Sequence, residues 1–345
     1  MRENYRMKRW VIALLIMSLC VAGGCGSEAR GSVEQRIDAS TENVSEDVSE
    51  AAPEEGTFEE IIVESVAEES TSEEETSGEK ASDENTSEEN TPEQEAEVVT
   101  LDFVDVFGEH YETTIKPDVP KHDYLNENFS RDGYKLTYED DNYSSRLGVD
   151  VSRHQGRIDW EKVKEQGIEF AFLRIGYRGY GKEGSINLDK RFYENIKGAQ
   201  NAGIDVGVYF FSQAINEEEA LEEAKFVLDA LDGSELQLPV VYDPESILDD
   251  VARTDDVSGE QFTRNTIVFC DSIRENGYEP MIYSNMLWEA FEFDLSQLSE
   301  IPVWYADYEE FPQTPYHFVF WQYTNEGRIS GIDGEMDLDI QIMKK

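Results

Sequence analysis

Apolar residues in the last two hundred positions fall into short runs of strand length. The runs are 147–152, 170–176, 205–211, 238–242, 280–284, 302–308, 318–323 and 335–340. Most are nearly continuous in apolar character, as strands covered on both faces are. The first five are separated by helix-like stretches at 159–165, 189–202, 216–232 and 258–276. In 216–232, Asn216 stands where an N-cap belongs and acidic residues fill the first turn. Ala220, Leu221, Ala224, Val227, Leu228 and Leu231 then recur at helical spacing. Gly167, Gly203, Gly233 and Gly277 fit helix ends that hand over to the next strand. This alternation predicts an α/β fold with a parallel sheet covered by helices. Eight strands predict closure into a barrel. The last three connections are too short for full helices, so the closure is expected to be irregular.

Upstream the pattern changes twice. In 99–146, aromatics at Phe103, Phe107 and Tyr111 with Pro117, Pro120 and Gly133 predict a small β-rich or irregular prelude packed on the main domain. No chemistry is visible in it. Residues 26–98 are mainly Glu, Ser, Thr, Asn and Ala, with Phe58 the one aromatic. Such a segment buries too little apolar surface to offset chain entropy, and it reads as a disordered acidic linker. A flexible chain of that length spans roughly 45–50 Å. It is either a tether or a solubilising tail, with at most a short helix from Phe58 to Val66. Residues 1–25 read as a secretion signal. Arg2, Arg6, Lys8 and Arg9 precede an apolar run from Trp10 to Ala22, shorter than the ~20 residues of a membrane span. Val21-Ala22-Gly23-Gly24-Cys25 resembles a bacterial lipobox, with Cys25 the candidate for lipidation and Ala22 where Leu is usual. The alternative is an ordinary signal peptide cleaved near the same glycines. Both place the protein outside the cytoplasm, membrane-anchored or secreted.

Charge sharpens these divisions. The chain of 345 residues carries 76 acidic and 29 basic side chains, a formal net charge of −47. The leader is net +3, residues 26–98 are net −22 and the remainder is net −28. This surplus argues against nucleic acid as a partner and against docking on anionic lipid through a basic patch. Three cysteines cannot make a disulfide framework. Cys270, the one left beyond the leader, reads as helix core.

A β/α barrel presents its functional residues at the C-terminal ends of its strands. Polar residues fall there repeatedly: Asp150, Arg174 with Tyr177, Tyr209 with Ser212, Asp243 with Glu245, Tyr283 with Asn285, Tyr305 with Asp307, Gln322 after Trp321, and Asp337. Asp150 lies between Val149 and Val151, and a charge there needs a partner or a task. Asp243-Pro244-Glu245 carries the strongest signal. Residues at i and i+2 share a face, with Cα atoms roughly 6.6 Å apart. Pro244 lacks an N–H and belongs at a strand end. Two neighbouring carboxylates in a dehydrated cleft push their pKa values apart, so that one stays an acid and one an anion. Glycosidic-bond cleavage needs such a pair. The competing reading is a capping Asp beside a salt-bridged Glu. Tyr177, Tyr209, Tyr283, Trp304 and Trp321 are candidates to stack on sugar rings, or else barrel core.

From Leu147 onward the chain resembles glycoside hydrolase family 25, the N-acetylmuramidase type of lysozyme. The resemblance rests on ordered motifs: Gly148-Val149-Asp150-Val151-Ser152, Ile158-Asp159-Trp160, Phe170-Ala171-Phe172-Leu173-Arg174, Gly207-Val208-Tyr209-Phe210-Phe211-Ser212, Tyr242-Asp243-Pro244-Glu245, Tyr283-Ser284-Asn285, Trp304-Tyr305-Ala306, Trp321-Gln322-Tyr323-Thr324 and Asp337-Leu338-Asp339. It implies a TIM-like barrel of five β/α units followed by three further strands. It implies hydrolysis of the β-1,4 bond between N-acetylmuramic acid and N-acetylglucosamine in peptidoglycan. Glu245 would be the general acid/base, and Asp243 would orient the substrate acetamido group or stabilise positive charge. Asp150 and Asp337 would shape the field. Arg174, Tyr177, Tyr209, Tyr283, Asn285, Tyr305, Asp307 and Gln322 would bind substrate. The family more often has Asn where Asp339 stands. No metal or cofactor is implied. The expected partners are peptidoglycan glycan strands and, through the anchor, the membrane, with the protein a monomer. A surface lipoprotein that binds peptidoglycan without cutting it is the alternative.

Overall fold

The computed structural model describes residues 98–248 and 250–345. The leader, Cys25, the Phe58–Val66 segment and nearly all of the acidic linker lie outside the described residues.

Two hairpins come first: β1 (Thr100–Val104) with β2 (His110–Thr114), and β3 (Phe129–Asp132) with β4 (Lys135–Tyr138). Then come β5 (Tyr143–Val151), α1 (Trp160–Glu165), β6 (Phe170–Arg178), the short β7 (Ile186–Leu188), α2 (Phe192–Asn201), β8 (Asp205–Ser212), α3 (Glu217–Leu231), β9 (Val240–Pro244), α4 (Gly259–Glu275) and β10 (Pro280–Asn285). After β10 there is a π-turn at Trp288–Glu292 and the one-turn α5 (Leu295–Leu298), then β11 (Val303–Ala306), β12 (Phe320–Gly327) and β13 (Met336–Lys344). Hydrogen bonds run in the order β5-β13-β12-β11-β10-β9-β8-β6, and β6 pairs back to β5. This closes an eight-stranded barrel, with β7 as a spur on β6.

The predicted strands and helices form with small shifts at their ends. Asn216 accepts the Glu219 N–H at 2.9 Å and starts α3. That helix ends on Asp232 in the left-handed region, one residue before the expected Gly233. Two differences concern the sheet. First, β13 runs antiparallel to both its neighbours, so the sheet is not parallel throughout. A parallel return needs a crossover of about a dozen residues or more, and the link at 328–335 is too short for one. Second, β5 begins at Tyr143 rather than Leu147, because Tyr143 to Arg146 pair with Gln341 to Lys344.

Strand alternation separates two cores. Outward residues such as Ala171, Leu173, Ile175, Val240 and Tyr242 pack under the helices. Inward residues Phe170, Phe172, Val241, Met281, Trp304 and Phe320 form a plug inside the barrel. Phe172 and Trp304 stack at 4.6 Å and Phe320 meets Phe172 edge-on at 4.9 Å. Cys270 is fully buried on α4. The prelude packs on the barrel through Phe103 and Tyr111 against Phe291, and through hydrogen bonds from Tyr124 to Phe318 O and from Tyr323 to Tyr134 O.

Gly148 faces the plug, and a Cβ there would lie 2.2 Å from the Phe170 ring. Gly→Ala in a strand ordinarily gains by restricting the unfolded chain. Here overpacking wins, and Gly148→Ala should lose about 1–3 kcal/mol, read as a lower urea midpoint at unchanged slope.

Candidate active site

The plug occupies the N-terminal ends of the parallel strands, so the next inward positions meet a dehydrated floor. Polar groups gather on it. Asp150 at the end of β5 and Asp337 at the start of β13 are direct cross-strand partners, because the antiparallel last strand begins where the first one ends. Asp339 follows two residues later on the same face, fully buried. Asp243 is the last residue but one of β9, and Glu245 lies just beyond the strand. Gln322 on β12 is the hub. Its amide donates to Asp150 Oδ2 at 2.7 Å, and its oxygen accepts from Tyr283 at 3.0 Å and Tyr308 at 2.9 Å.

Five carboxyl groups thus share one pocket of field, and each is shifted upward. Burial raises Asp150 well above the carboxylate range, Asp337 and Asp339 raise it further, and the Gln322 hydrogen bond opposes them. Burial, then Glu245, does the same to Asp243, whose Oδ1 is buried without a hydrogen-bond partner. Glu245 keeps an edge on the cleft but is hemmed in by protein. That dehydration, then the charge of Asp337, pushes it up to about 7, with Arg174 pulling the other way. Burial brings Asp337 to about 6. Burial also raises Asp339 well above its ordinary value, against the Trp304 indole N–H that it accepts at 2.8 Å. A neutral Asp339 is close in shape and polarity to an Asn, so the departure from the family's usual residue leaves this contact intact.

Arg174 is the cation facing this layer, and it is already engaged. Its guanidinium binds Asp189 Oδ2 through Nε at 2.9 Å and Nη2 at 2.8 Å, and lies over the Tyr177 ring. Tyr209 and Tyr283 are half-buried and meet Trp304 edge-on. Asn285 accepts the N–H groups of Leu287 and Trp288, capping the π-turn at the cleft edge.

Several expected sugar contacts lie elsewhere. Tyr305 points outward, fully buried against Phe318, with its hydroxyl 2.7 Å from Asp307. Trp321 also points outward and donates to Asp307 O. Trp304 lies in the plug. Asp307 borders the cleft, but its oxygens accept from Tyr305, Glu309 N and Gln313 N, so it shapes a loop. Ser212 lies 2.6 Å from buried Glu223, in a network with Arg178 behind the barrel.

The sequence reading missed Asp189, Tyr308 and Gln213. Gln213, 1% exposed, donates to Glu245 O at 2.7 Å and accepts from Thr254 at 2.9 Å. It fixes the backbone of Glu245. Asp-Tyr at 307–308 was a visible strand-end signal, whereas nothing in the sequence links Gln213 to Glu245.

A cleft of about 710 Å³ opens over this layer, lined by Glu245, Tyr283, Asn285, Asp307 and Tyr308, with Val104 to Gly108 of the first hairpin along one side.

Residues 149–332 match the family described as glycosyl hydrolases family 25, and the chain belongs to that family. It is similar to the autolytic lysozyme of Clostridium acetobutylicum, 26% identical over 193 residues, covering 56% of this chain and 54% of that protein. It is also similar to lysozyme M1 of Streptomyces globisporus, 28% identical over 210 residues, covering 55% of this chain and 65% of that protein. The matches therefore span between about half and two thirds of those relatives. Among solved structures, the spore cortex lytic enzyme of Clostridium perfringens shares the fold at a TM-score of 0.51 and 22% identity, over 57% of this chain and 67% of that one. So does the modular autolysin of Streptococcus pneumoniae, solved with a synthetic peptidoglycan ligand, at 0.50 and 23%, over 69% and 56%.

A carboxyl raised by folding binds its proton more tightly in the native state, so stability falls as pH rises between its ordinary and its raised value. For Glu245 that window runs from its ordinary value of 4.5 to about 7. Glu245→Gln should therefore unfold at a higher temperature than the parent at pH 8, and near the parent's temperature at pH 4.5.

Proposed function

We propose that the protein is a peptidoglycan hydrolase, an N-acetylmuramidase that cleaves the β-1,4 bond between N-acetylmuramic acid and N-acetylglucosamine. One observation carries this reading. Of the five clustered carboxyls, Glu245 lines the cleft, and its surroundings hold it near half-protonated at neutral pH. A general acid that must give up a proton at that pH is tuned in this way. Family membership and the lysozymes among its relatives support the substrate class.

In the proposed reaction, protonated Glu245 delivers its proton to the leaving glycosidic oxygen as the sugar becomes oxocarbenium-like. Asp243 lies behind it and acts through the substrate's N-acetyl group, orienting the amide or balancing the positive charge. Asp337, raised only to about 6, stays largely ionised at neutral pH and keeps the field negative beneath the developing cation, with the protonated Asp150 shaping the field beside it. This favours the transition state over the neutral ground state. Gln213 keeps Glu245 at its station. A module that only bound glycan would have no need of an acid tuned to donate a proton. The protein would act outside the cytoplasm, carried by the leader, held by Cys25 or released, with the acidic segment as its reach.

The full-length chain, incubated with purified cell walls, should release fragments with new reducing ends at muramic acid. Glu245→Gln should lower that rate by about 10²–10⁴-fold, the usual worth of a general acid. The parent rate should fall as pH rises through about 7, where Glu245 loses its proton. No release, or release indifferent to Glu245, refutes the assignment.

A further inference from the structure

The first hairpin lies outside the family match, yet its turn forms part of the cleft that holds Glu245. The turn is firmly built. Asp105 Oδ1 accepts the N–H groups of Phe107 at 2.9 Å and Glu109 at 3.0 Å, and Gly108 N–H returns to Asp105 O at 2.9 Å. The strand leading into it is clasped to the barrel. Gln313 pairs with both the N–H and the carbonyl of Val104, at 2.8 and 3.0 Å, while its own N–H donates to Asp307 at 2.9 Å. Phe103, Tyr111 and Phe291 pack beneath. This anchored turn holds Val106 66% exposed and Phe107 61% exposed at the mouth of the cleft. Large apolar side chains fixed in water beside a polar groove mark a binding surface.

We propose that this turn adds a saccharide subsite to the cleft, with Phe107 stacking against the apolar face of a sugar ring beyond the two that flank the cleaved bond. The assignment rests on the muramidase reading above. Its chemistry follows from the lining. Phe107 and Tyr308 offer aromatic faces, and Glu309 and Glu326 offer acceptors for hydroxyl and amide protons. Among the described lining residues there is no Lys, Arg or His. An anionic stem peptide therefore finds no counter-charge here, and an uncharged ring, N-acetylglucosamine rather than the carboxylate-bearing muramic acid, fits better. The cleft then runs continuously from Glu245 to the hairpin, and longer glycans gain contacts that short ones do not reach.

The test measures binding in the full-length Glu245→Gln chain, where hydrolysis is suppressed. Calorimetry compares a disaccharide and an octasaccharide of alternating N-acetylglucosamine and N-acetylmuramic acid, both without peptides. Adding Phe107→Ala should weaken the octasaccharide about fivefold more than the disaccharide, the scale of one lost stacking contact. Phe107→Tyr should keep the parent ratio. An unchanged ratio in Phe107→Ala overturns the proposal. So does an equal loss for both glycans, or no binding of either. Failure of the muramidase reading would show separately, as an absence of reducing ends from the parent chain.

Discussion

Trp304 joins the two halves of the barrel interior. Its ring stacks on Phe172 in the apolar plug, and its indole N–H reaches up to Asp339 in the acidic layer. The site depends on this junction between a dry floor and the carboxyls seated on it. A floor of water would let each acid ionise near its ordinary value. A floor of aromatic rings denies the charged form its solvation, and neighbouring like charges deny it again. The layer is therefore neutralised mainly by protons. The nearby cation, Arg174, is already bound to Asp189 and only tempers the effect.

Seen this way, the carboxyls differ by position rather than by kind. Asp150 and Asp339 lie deep and fixed by Gln322 and Trp304. Asp243 has an unpaired oxygen. Glu245 lies one step past the end of its strand, where the floor gives way to the cleft, and its raised value stays within reach of neutral pH. The single-residue spacer Pro244 sets that step.

Much of this was legible in the sequence, for a physical reason. Strands buried on both faces write themselves as nearly continuous apolar runs, and the Asp-Pro-Glu at the end of one of them stands out. Strand direction is not written in hydrophobicity, and for β13 it was recorded in the shortness of the loop before it. Tyr143 to Arg146 escaped notice because Ser144, Ser145 and Arg146 are half-exposed. Tyr305 and Trp321 were misplaced by one residue of parity. Their neighbours Trp304 and Gln322 face inward, so period-2 alternation turns them out. On β6 a bulge after Arg174 breaks that parity and brings Tyr177 back to the site. The hairpin at the cleft could not be read, since Val104 meets Gln313 across 209 positions of chain.

The closing of the barrel has a consequence for how the chain reaches its native state. β5 pairs with β6 through a short connection, but its other edge waits for β13, and Arg146 finds Gln341 195 positions away. That union closes the longest loop in the barrel and so carries the largest loop-closure entropy of its strand pairings. Until it forms, β5 and β12 each present an open edge, the kind of surface that invites association with other chains. The last strand thus acts as a seam that covers both edges at once. It also carries Asp337 and Asp339, so the acidic layer is whole only when the seam is closed.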